Sequence, residues 1–191
     1  MPHPPNRELK LPPEAENKYR QWLTHLNDEF TRHSSYDLRS EIVRDALFQI
    51  YLGRPHGGRS SATLTTDLPL LVVAESFDAR NVTLPAEHYG EVDTALFYPR
   101  KPLLYFWQMF DNSSLGLNHW LGVHFRSMLA RHIFHHTGKN IRFHRNVILT
   151  FGYNLTVEDG VRVFENVRID DRNGPMTLTA GTELRESIFS E

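Results

Sequence analysis

Aliphatic residues recur at every sixth position in residues 155–170, which read LTVEDGVRVFENVRID. Residues two apart in an extended strand face the same side, so each six-residue unit directs one aliphatic pair to a common face. The two rows that result are Leu155, Val161 and Val167, and Val157, Val163 and Ile169. This periodicity constrains the fold more than any other feature of the chain.

Turns must separate the aliphatic pairs, and the intervening residues are suited to turns. Gly160 and Asn166 are residue types that adopt the left-handed conformation at low cost. Three units of strand plus corner close a triangular coil, and stacked coils bury the aliphatic pairs. The pattern therefore predicts a hexapeptide-repeat solenoid, which is a parallel β-helix. The alternative is an antiparallel meander, but hairpins repeat nearer 8–12 residues.

The repeat extends in both directions. Upstream, Phe143 and Leu149 continue the row of Leu155, and Ile141 and Val147 occupy a companion position. Downstream, the segment 170–175 (DDRNGP) interrupts the count. It then resumes with one row of Met176, Thr182 and Ile188 and another of Leu178 and Leu184. An interruption at a corner predicts a projecting loop, and such loops often carry function.

Helical periodicity dominates the chain before the repeat. After a proline-rich arm at 1–13, the apolar residues Tyr19, Trp22, Leu23, Leu26 and Phe30 have the spacing of one buried helix face. A second helix is predicted over 37–52, ended by Gly53 and Pro55.

Further along, residues 68–75 (LPLLVVAE) predict a strand or a buried extended segment, and residues 76–101 predict an irregular segment. A third helix is predicted over 117–136, ended by Gly138. The expected organisation is an α+β chain. A helical region over 1–137 precedes a short β-helix over 138–191.

Composition excludes several classes of protein. The chain has 191 residues, a net charge of -2 and no cysteine, so it offers no thiolate metal site and no cysteine nucleophile. Clustered Lys and Arg, the mark of nucleic-acid binding, are absent from the sequence. The N-terminus has no signal-peptide pattern, and the most apolar run, 102–110, is too short to span a bilayer. We therefore expect a cytoplasmic protein without a nucleic-acid partner.

Residues 138–191 resemble the first coils of the hexapeptide-repeat O-acetyltransferases. The nearest groups are the maltose and galactoside acetyltransferases and the exopolysaccharide enzymes of the colanic-acid type. The segment SSLGLNHWLGVHFRSMLARHIFHHTGKNIRF resembles the helix that precedes their solenoid, so the likeness covers about residues 95–191. The resemblance implies a left-handed β-helix, a homotrimer, acetyl-CoA as co-substrate and a sugar or glycan acceptor. A histidine would act as general base on the acceptor hydroxyl.

The sequence departs from this group at the catalytic histidine. In these acetyltransferases the catalytic histidine follows the segment equivalent to ELRESIFSE. In the present sequence no histidine follows His144. The catalytic residue is thus unassigned, and the acetyl-CoA groove is expected to be incomplete. We expect the N-terminal part of an acyltransferase, inactive by itself. The alternative is a non-catalytic solenoid that serves as a scaffold or assembly module.

Three residues are candidates for acceptor binding by their position in the resemblance: Asn166, Asp170 and Asp171. Turn chemistry offers another explanation, because asparagine suits a corner and aspartate caps turns.

The histidines admit a metal interpretation that the sequence supports poorly. His132 and His136 have i, i+4 spacing, but no Glu of an H-E-x-x-H motif and no third ligand accompany them. Basic residues near a helix C-terminus are the preferred explanation, and no metal site is predicted. His144 follows inward-facing Phe143 and is therefore expected to face outward.

The aromatic stretch 105–120 has two interpretations. With Arg100 and Lys101 nearby, it fits a weak membrane-surface contact. The favoured interpretation is a helix that covers the apolar N-terminal end of the solenoid.

Overall fold

The computed structural model describes residues 10–58 and 66–190, so most of the predicted proline-rich arm lies outside the described residues. Helices precede strands. The α-helices are α1 (Pro13–Arg32), α2 (Tyr36–Leu52), α3 (Leu68–Ser76), α4 (Thr94–Phe97), α5 (Lys101–Asn112) and α6 (His119–Ile133). Short 3-10 helices occupy Ala79–Asn81, Pro85–His88 and Ser114–Leu117.

The first two helices confirm the sequence prediction. Proline at the start of α1 is compatible with a first turn, whose amides have no intrahelical partner. Ser35 caps α2, because its hydroxyl accepts a hydrogen bond from the amide of Leu38. Gly53 ends α2 with φ of 67°, a left-handed conformation that glycine adopts without strain.

The predicted strand at 68–75 is wrong, since these residues form α3. A short apolar run without periodicity does not distinguish a strand from a helix. Pro69 suits the first turn of a helix, and no sheet of the described residues lies beside this segment to pair with a strand. Its apolar side chains are largely exposed, with Leu68 69% and Val72 61% accessible.

The third predicted helix is confirmed as α6 but ends at Ile133, three residues earlier than expected. Phe134 is already extended, and the amide of His135 donates to the carbonyl of Leu155. The chain therefore enters the solenoid just after Ile133. Its strands are β1 (His136–Thr137), β2 (Arg142–Phe143), β3 (Ile148–Leu149), β4 (Leu155–Val157), β5 (Arg162–Val163), β6 (Arg168–Asp170), β7 (Met176–Leu178), β8 (Glu183–Leu184) and β9 (Ile188–Phe189).

The nine strands form three parallel sheets, ordered β1-β4-β7, β2-β5-β8 and β3-β6-β9. Each sheet takes one strand from each of three successive coils, which is the arrangement of a β-solenoid and excludes the antiparallel meander. The rows from Leu155 and Val157 are confirmed in the second coil, where all six aliphatic side chains are at most 1% exposed. Left-handed winding stays a prediction.

Corners of the coils use the residues that the sequence indicated. Gly160 has φ of 73° and Asn166 has φ of 64°, and Asn146 occupies the equivalent corner of the first coil with φ of 58°. The predicted interruption at 170–175 is a longer corner. Ile169 and its successor Leu178 are nine positions apart, whereas Val163 and Ile169 are six positions apart.

Two of the predicted aliphatic rows include residues that belong to the other row of inward-facing side chains. Phe143 lies opposite Val163, so it belongs with Val157 rather than with Leu155. Two extra residues between β3 and β4 cause this shift. Ile188 lies opposite Ile169 and so joins the row of Leu178 and Leu184 rather than that of Met176, because the corner between β8 and β9 is two residues shorter.

Helices α5 and α6 cover the outer edge of the first coil, which we call the capped end (strands β1, β2 and β3). Amides of this coil such as those of Arg142 and Ile148 donate to the second coil, and the intervening backbone groups point towards the helices. Three side chains donate to carbonyls there: Ser127 to Ile141 (2.8 Å), Arg126 to Phe143 (3.3 Å) and Trp107 to Val147 (3.1 Å).

A buried ion pair reinforces the capped end. Arg126 Nε donates to Asp111 Oδ1 at 2.8 Å, and both residues are buried. The second oxygen of Asp111 accepts from the amide of Asn146 at 3.0 Å, which ties α5 to a corner of the first coil. The covering role predicted for the aromatic stretch is thus confirmed. Trp107 and Phe106 are core residues and do not form a surface.

Candidate functional site

The three residues proposed to bind an acceptor lie around β6. Asn166 occupies the corner before this strand, Asp170 is its last residue, and Asp171 follows it. Four residues of extended chain span roughly 13 Å, so Asn166 and Asp170 lie at opposite ends of the strand. The structure therefore groups the two aspartates and separates Asn166 from them.

Asn166 is exposed and takes part in a corner. Its Oδ1 accepts a hydrogen bond from Nδ2 of Asn146 at 3.2 Å, and the two residues hold equivalent corners of adjacent coils. Its amide donates to the carbonyl of Arg145 at 3.3 Å. Positive φ and these bonds account for the asparagine as a corner residue.

Asp170 is the centre of a small charged cluster. Its carboxylate accepts from Nε of Arg172 at 2.9 Å and lies 3.7 Å from Arg168. The guanidinium of Arg172 stacks over the ring of Tyr89 at 4.2 Å, and the hydroxyl of Tyr89 is 3.5 Å from Arg168. The hydrogen bond to Asp170 raises the pKa of Arg172. The cluster thus presents two guanidinium groups held by one buried carboxylate.

Asp171 fixes the two-residue insertion in the first coil. The side chain is almost fully buried, and its two oxygens accept from the amides of Phe151 (2.8 Å) and Asn154 (3.1 Å). Burial raises the pKa of Asp171, and these amide hydrogen bonds partly offset the effect. The carboxylate is directed at backbone rather than at solvent, so in this conformation its oxygens are engaged within the fold.

His144 lies outside the coil, as predicted, and forms part of a stack. Its ring lies 5.1 Å from that of Phe164 and 5.2 Å from that of His119. Arg185 continues the stack over Phe164 at 3.7 Å. Burial, followed by the charge of His119, lowers the pKa of His144. The lowered pKa favours the neutral imidazole, whose ring packs against those of Phe164 and His119.

The i, i+4 pair of histidines does not form on a helix. His132 lies in α6 and His136 in β1, because the helix ends between them. His132 instead contacts Asn27 Oδ1 at 3.2 Å, and burial lowers its pKa to about 4. Within residues 10–58 and 66–190, no group of three or more histidine, aspartate or glutamate side chains is arranged to hold a metal ion.

Sequence reasoning missed a second set of polar residues, between α1 and α2. A cavity of about 400 Å³ there is lined by residues that include Trp22, Asp45 and His56. The apolar stripe of α1 identified Trp22 as a core residue, and nothing in the sequence pattern paired it with Asp45. The spacing of Ile42, Asp45 and Gln49 on one face of α2 is the signal that could have been used.

Comparison with known protein families, with curated proteins and with solved structures found no match. None of the helices in the described part of the chain is long and apolar enough to cross a membrane.

Proposed function

We propose that this chain forms part of an acyl-CoA-dependent O-acyltransferase that acts on a hydroxyl of a sugar or polysaccharide. The observation that carries the proposal is the parallel register of three sheets at six-residue steps with a helical cap. This is the architecture that the resemblance to hexapeptide-repeat acetyltransferases implies. In such an enzyme the hydroxyl attacks the thioester carbonyl of acetyl-CoA, a base takes its proton, and the CoA thiol leaves.

The described residues would supply the scaffold and one wall of the acceptor site. Asp170 and Arg172 lie at the longer corner, and Arg168 lies two residues before Asp170 at the start of β6. The carboxylate of Asp170 would accept a hydrogen bond from a sugar hydroxyl, and the guanidinium groups would donate to ring or hydroxyl oxygens. Asn166 and Asp171 would support that wall through the corners that they stabilise. The catalytic base and much of the acetyl-CoA groove would come from coils beyond the described ones or from neighbouring subunits of a trimer.

The experiment compares this chain with the polypeptide that extends it through any coding sequence continuing in frame. Both are incubated with acetyl-CoA and a panel of glycans, and release of the CoA thiol and acetylation of the glycan are measured. We expect transfer only by the extended polypeptide. In that polypeptide Asp170→Asn should raise the KM for the glycan and leave the KM for acetyl-CoA unchanged. Absence of transfer by every form would contradict the proposal.

A scaffold without catalysis is the second candidate. It is favoured by the engagement of Asp171 and Asn166 in backbone and corner hydrogen bonds, which a purely structural role explains. Under this hypothesis the extended polypeptide releases no CoA thiol, and the Asp170→Asn variant keeps every measurable property except a small loss of stability.

A further inference from the structure

The helical region contains a cleft between α1 and α2. Helix α1 packs on α6 and α2 packs on α5, so the facing surfaces of α1 and α2 leave space between them. One cavity has a volume of about 400 Å³, and a second of about 350 Å³ shares Trp22 and Gln49 with it. Ligand sites commonly measure about 300–1,000 Å³, so the cleft has the size of a small-molecule site.

The two parts of the cleft differ in chemistry. The second cavity is mainly apolar and is bounded by Tyr19, Ile50 and Leu115. The first is lined by charged and polar groups, among them Glu29, Glu41 and Asp45. A ligand that filled both would have one apolar portion and one polar portion.

Among the carboxylates of the cleft, Asp45 is distinctive. Glu29 pairs with Arg32 at 2.6 Å, and Glu41 pairs with Arg44 and Arg80. Asp45 is half-buried and accepts only neutral donors within the described residues, from Gln49 Nε2 at 2.8 Å and from the amide of Gly57 at 3.2 Å. A half-buried carboxylate without an ion-pair partner favours a cation beside it.

A buried imidazole provides a second and independent observation. His56 lines the same cavity, is 5% exposed, and its Nδ1 has no hydrogen-bond partner among the described residues. An unpaired polar atom in such a position is costly unless a ligand satisfies it. Burial, followed by the charge of Arg44, lowers the pKa of His56, which favours the neutral ring. A neutral imidazole accepts a hydrogen bond through Nδ1 when the proton is on Nε2.

We propose that the cleft between α1 and α2 binds a small organic ammonium ion that carries an apolar group. The ammonium group lies against Asp45 and donates towards His56, and the apolar group lies beside Trp22 in the second cavity. Charge selects the ligand class, because Asp45 has no ion-pair partner among the described residues, whereas the guanidinium of Arg44 in the same lining is paired with Glu41 and Asp78, with only its Nε lacking a partner. Aromatic and aliphatic side chains, among them Trp22, Ile50 and Leu115, accommodate the remainder of the ligand. This inference is independent of the proposed acyl transfer.

The test uses three probes with the same six-carbon tail: n-hexylammonium, n-hexanol and n-hexanoate. Binding to the purified chain is followed by isothermal titration and by the fluorescence of Trp22, with Trp120→Phe used to reduce the background emission. We expect saturable binding of one hexylammonium per chain, about tenfold or more tighter than binding of the alcohol, since a charge-assisted hydrogen bond favours the cation. Hexanoate should bind more weakly than either.

Two variants locate the site. Asp45→Asn keeps an acceptor for the amide of Gly57 and should lower the affinity for hexylammonium about tenfold. Gln49→Lys places a cation at i+4 from Asp45, so it should abolish hexylammonium binding without lowering the melting temperature. Asp28→Asn, on the exposed face of α1, is the matched control and should leave affinity unchanged. Equal affinity for hexanol and hexylammonium, absence of saturable binding, or unchanged binding by Gln49→Lys would overturn the proposal.

Discussion

The two ends of the solenoid are built differently. At the capped end the inward side chains Ile141, Phe143, Val147 and Leu149 are buried under α5 and α6, and side chains of those helices donate to the carbonyls of the edge. At the outer edge of the third coil (strands β7, β8 and β9), which we call the last edge, Met176, Leu184 and Ile188 are only partly buried. Exposed sheet edges offer unpaired backbone groups, so proteins cover them with other elements.

The difference between the two ends indicates that contacts on both sides of a coil stabilise a short solenoid. The first coil is held from both sides, by the second coil and by the helical cap, whereas the strands of the third coil pair only with those of the second coil within the described residues. Stability should therefore fall from the capped end towards the last edge. The predictions below measure that gradient.

The largest expected effect is loss of the buried ion pair at the capped end. Arg126→Met removes the cation from Asp111 and leaves a buried carboxylate whose remaining hydrogen bond comes from the amide of Asn146. Breaking a buried pair by removing one partner costs about 3–5 kcal/mol. Urea denaturation followed by circular dichroism measures the change in the free energy of unfolding.

The matched control is Arg162→Met, in β5 of the second coil, whose ion-pair partner Glu183 lies in β8 of the third coil. Arg162 pairs with Glu183 at 3.3 Å, and both side chains are more than one-third exposed. A surface pair of this kind contributes about 0–1 kcal/mol. A similar cost for the Arg126 and Arg162 variants would contradict the difference between the two ends.

The next effect compares identical truncations in two coils. Leu155→Ala removes a fully buried side chain from the second coil, and Leu184→Ala removes a partly exposed one from the third coil. A buried leucine truncation costs about 2–5 kcal/mol, so we expect about 3 kcal/mol for Leu155. Leu184 should cost about 1 kcal/mol, because less surface is re-exposed. Both values come from chemical denaturation at low protein concentration.

The Leu184→Ala variant also tests whether another copy of the chain covers the last edge in solution. A cost near 3 kcal/mol that grows with protein concentration would mean that another copy of the chain covers the last edge in solution. Sedimentation of the unmodified chain over the same concentration range would then show association. A concentration-independent cost near 1 kcal/mol fits an uncovered last edge.

The period of six identified the solenoid but misplaced two rows, and the reason is geometric. Each strand directs two side chains inward, two positions apart, so an insertion or deletion of two residues leaves an apolar residue at the expected place. Leu155 therefore continues the count from Leu149 although Val157 is the true successor. Only the pairing between coils resolves this ambiguity.

The helical cap and the candidate sites were harder to predict from the sequence, because they depend on contacts between residues that are distant in the chain. Helical spacing predicted α1, α2 and α6, but not that Arg126 would pair with Asp111 inside the core. Turn chemistry correctly described Asn166 as a corner residue with positive φ. The burial of Asp171 was not predictable, because its partners belong to an insertion that the sequence count does not show. The cleft at Asp45 requires the relative placement of two helices.

Acidification should affect the helical region through His132. Burial, followed by the charges of Arg39 and Arg131, lowers the pKa of His132 to about 4, against 6.5 when unfolded. Above pH 6.5 the ring is neutral in both states. As pH falls from 6.5 towards 4 the unfolded chain binds a proton that the folded chain does not, so stability decreases. We expect a loss of about 2 kcal/mol, after allowance for partial exposure of the side chain.

The measurement is the free energy of unfolding at several pH values for the unmodified chain and for His132→Gln. Glutamine retains a donor for Asn27 and does not titrate, so the decline between pH 6.5 and pH 4 should be smaller by that amount. His33→Gln is the control, because His33 lies at the exposed C-terminal end of α1. An unchanged decline in His132→Gln would contradict the assignment.

The smallest expected effect tests whether Asn166 has only a structural role or also binds the acceptor. Asn166→Gly keeps the positive φ and loses only the exposed bond to Asn146, so its stability should stay within about 0.5 kcal/mol of the unmodified chain. Asn166→Ala keeps a β-carbon in the left-handed region but loses the polar side chain that makes this conformation tolerable for asparagine, so it should cost about 1 kcal/mol. If Asn166 is only a corner residue, glycine also preserves any acyl transfer by the extended polypeptide. A glycine variant that unfolds normally but loses transfer would show that the side-chain amide of Asn166 contacts the acceptor, and this corner of the second coil would then be functional.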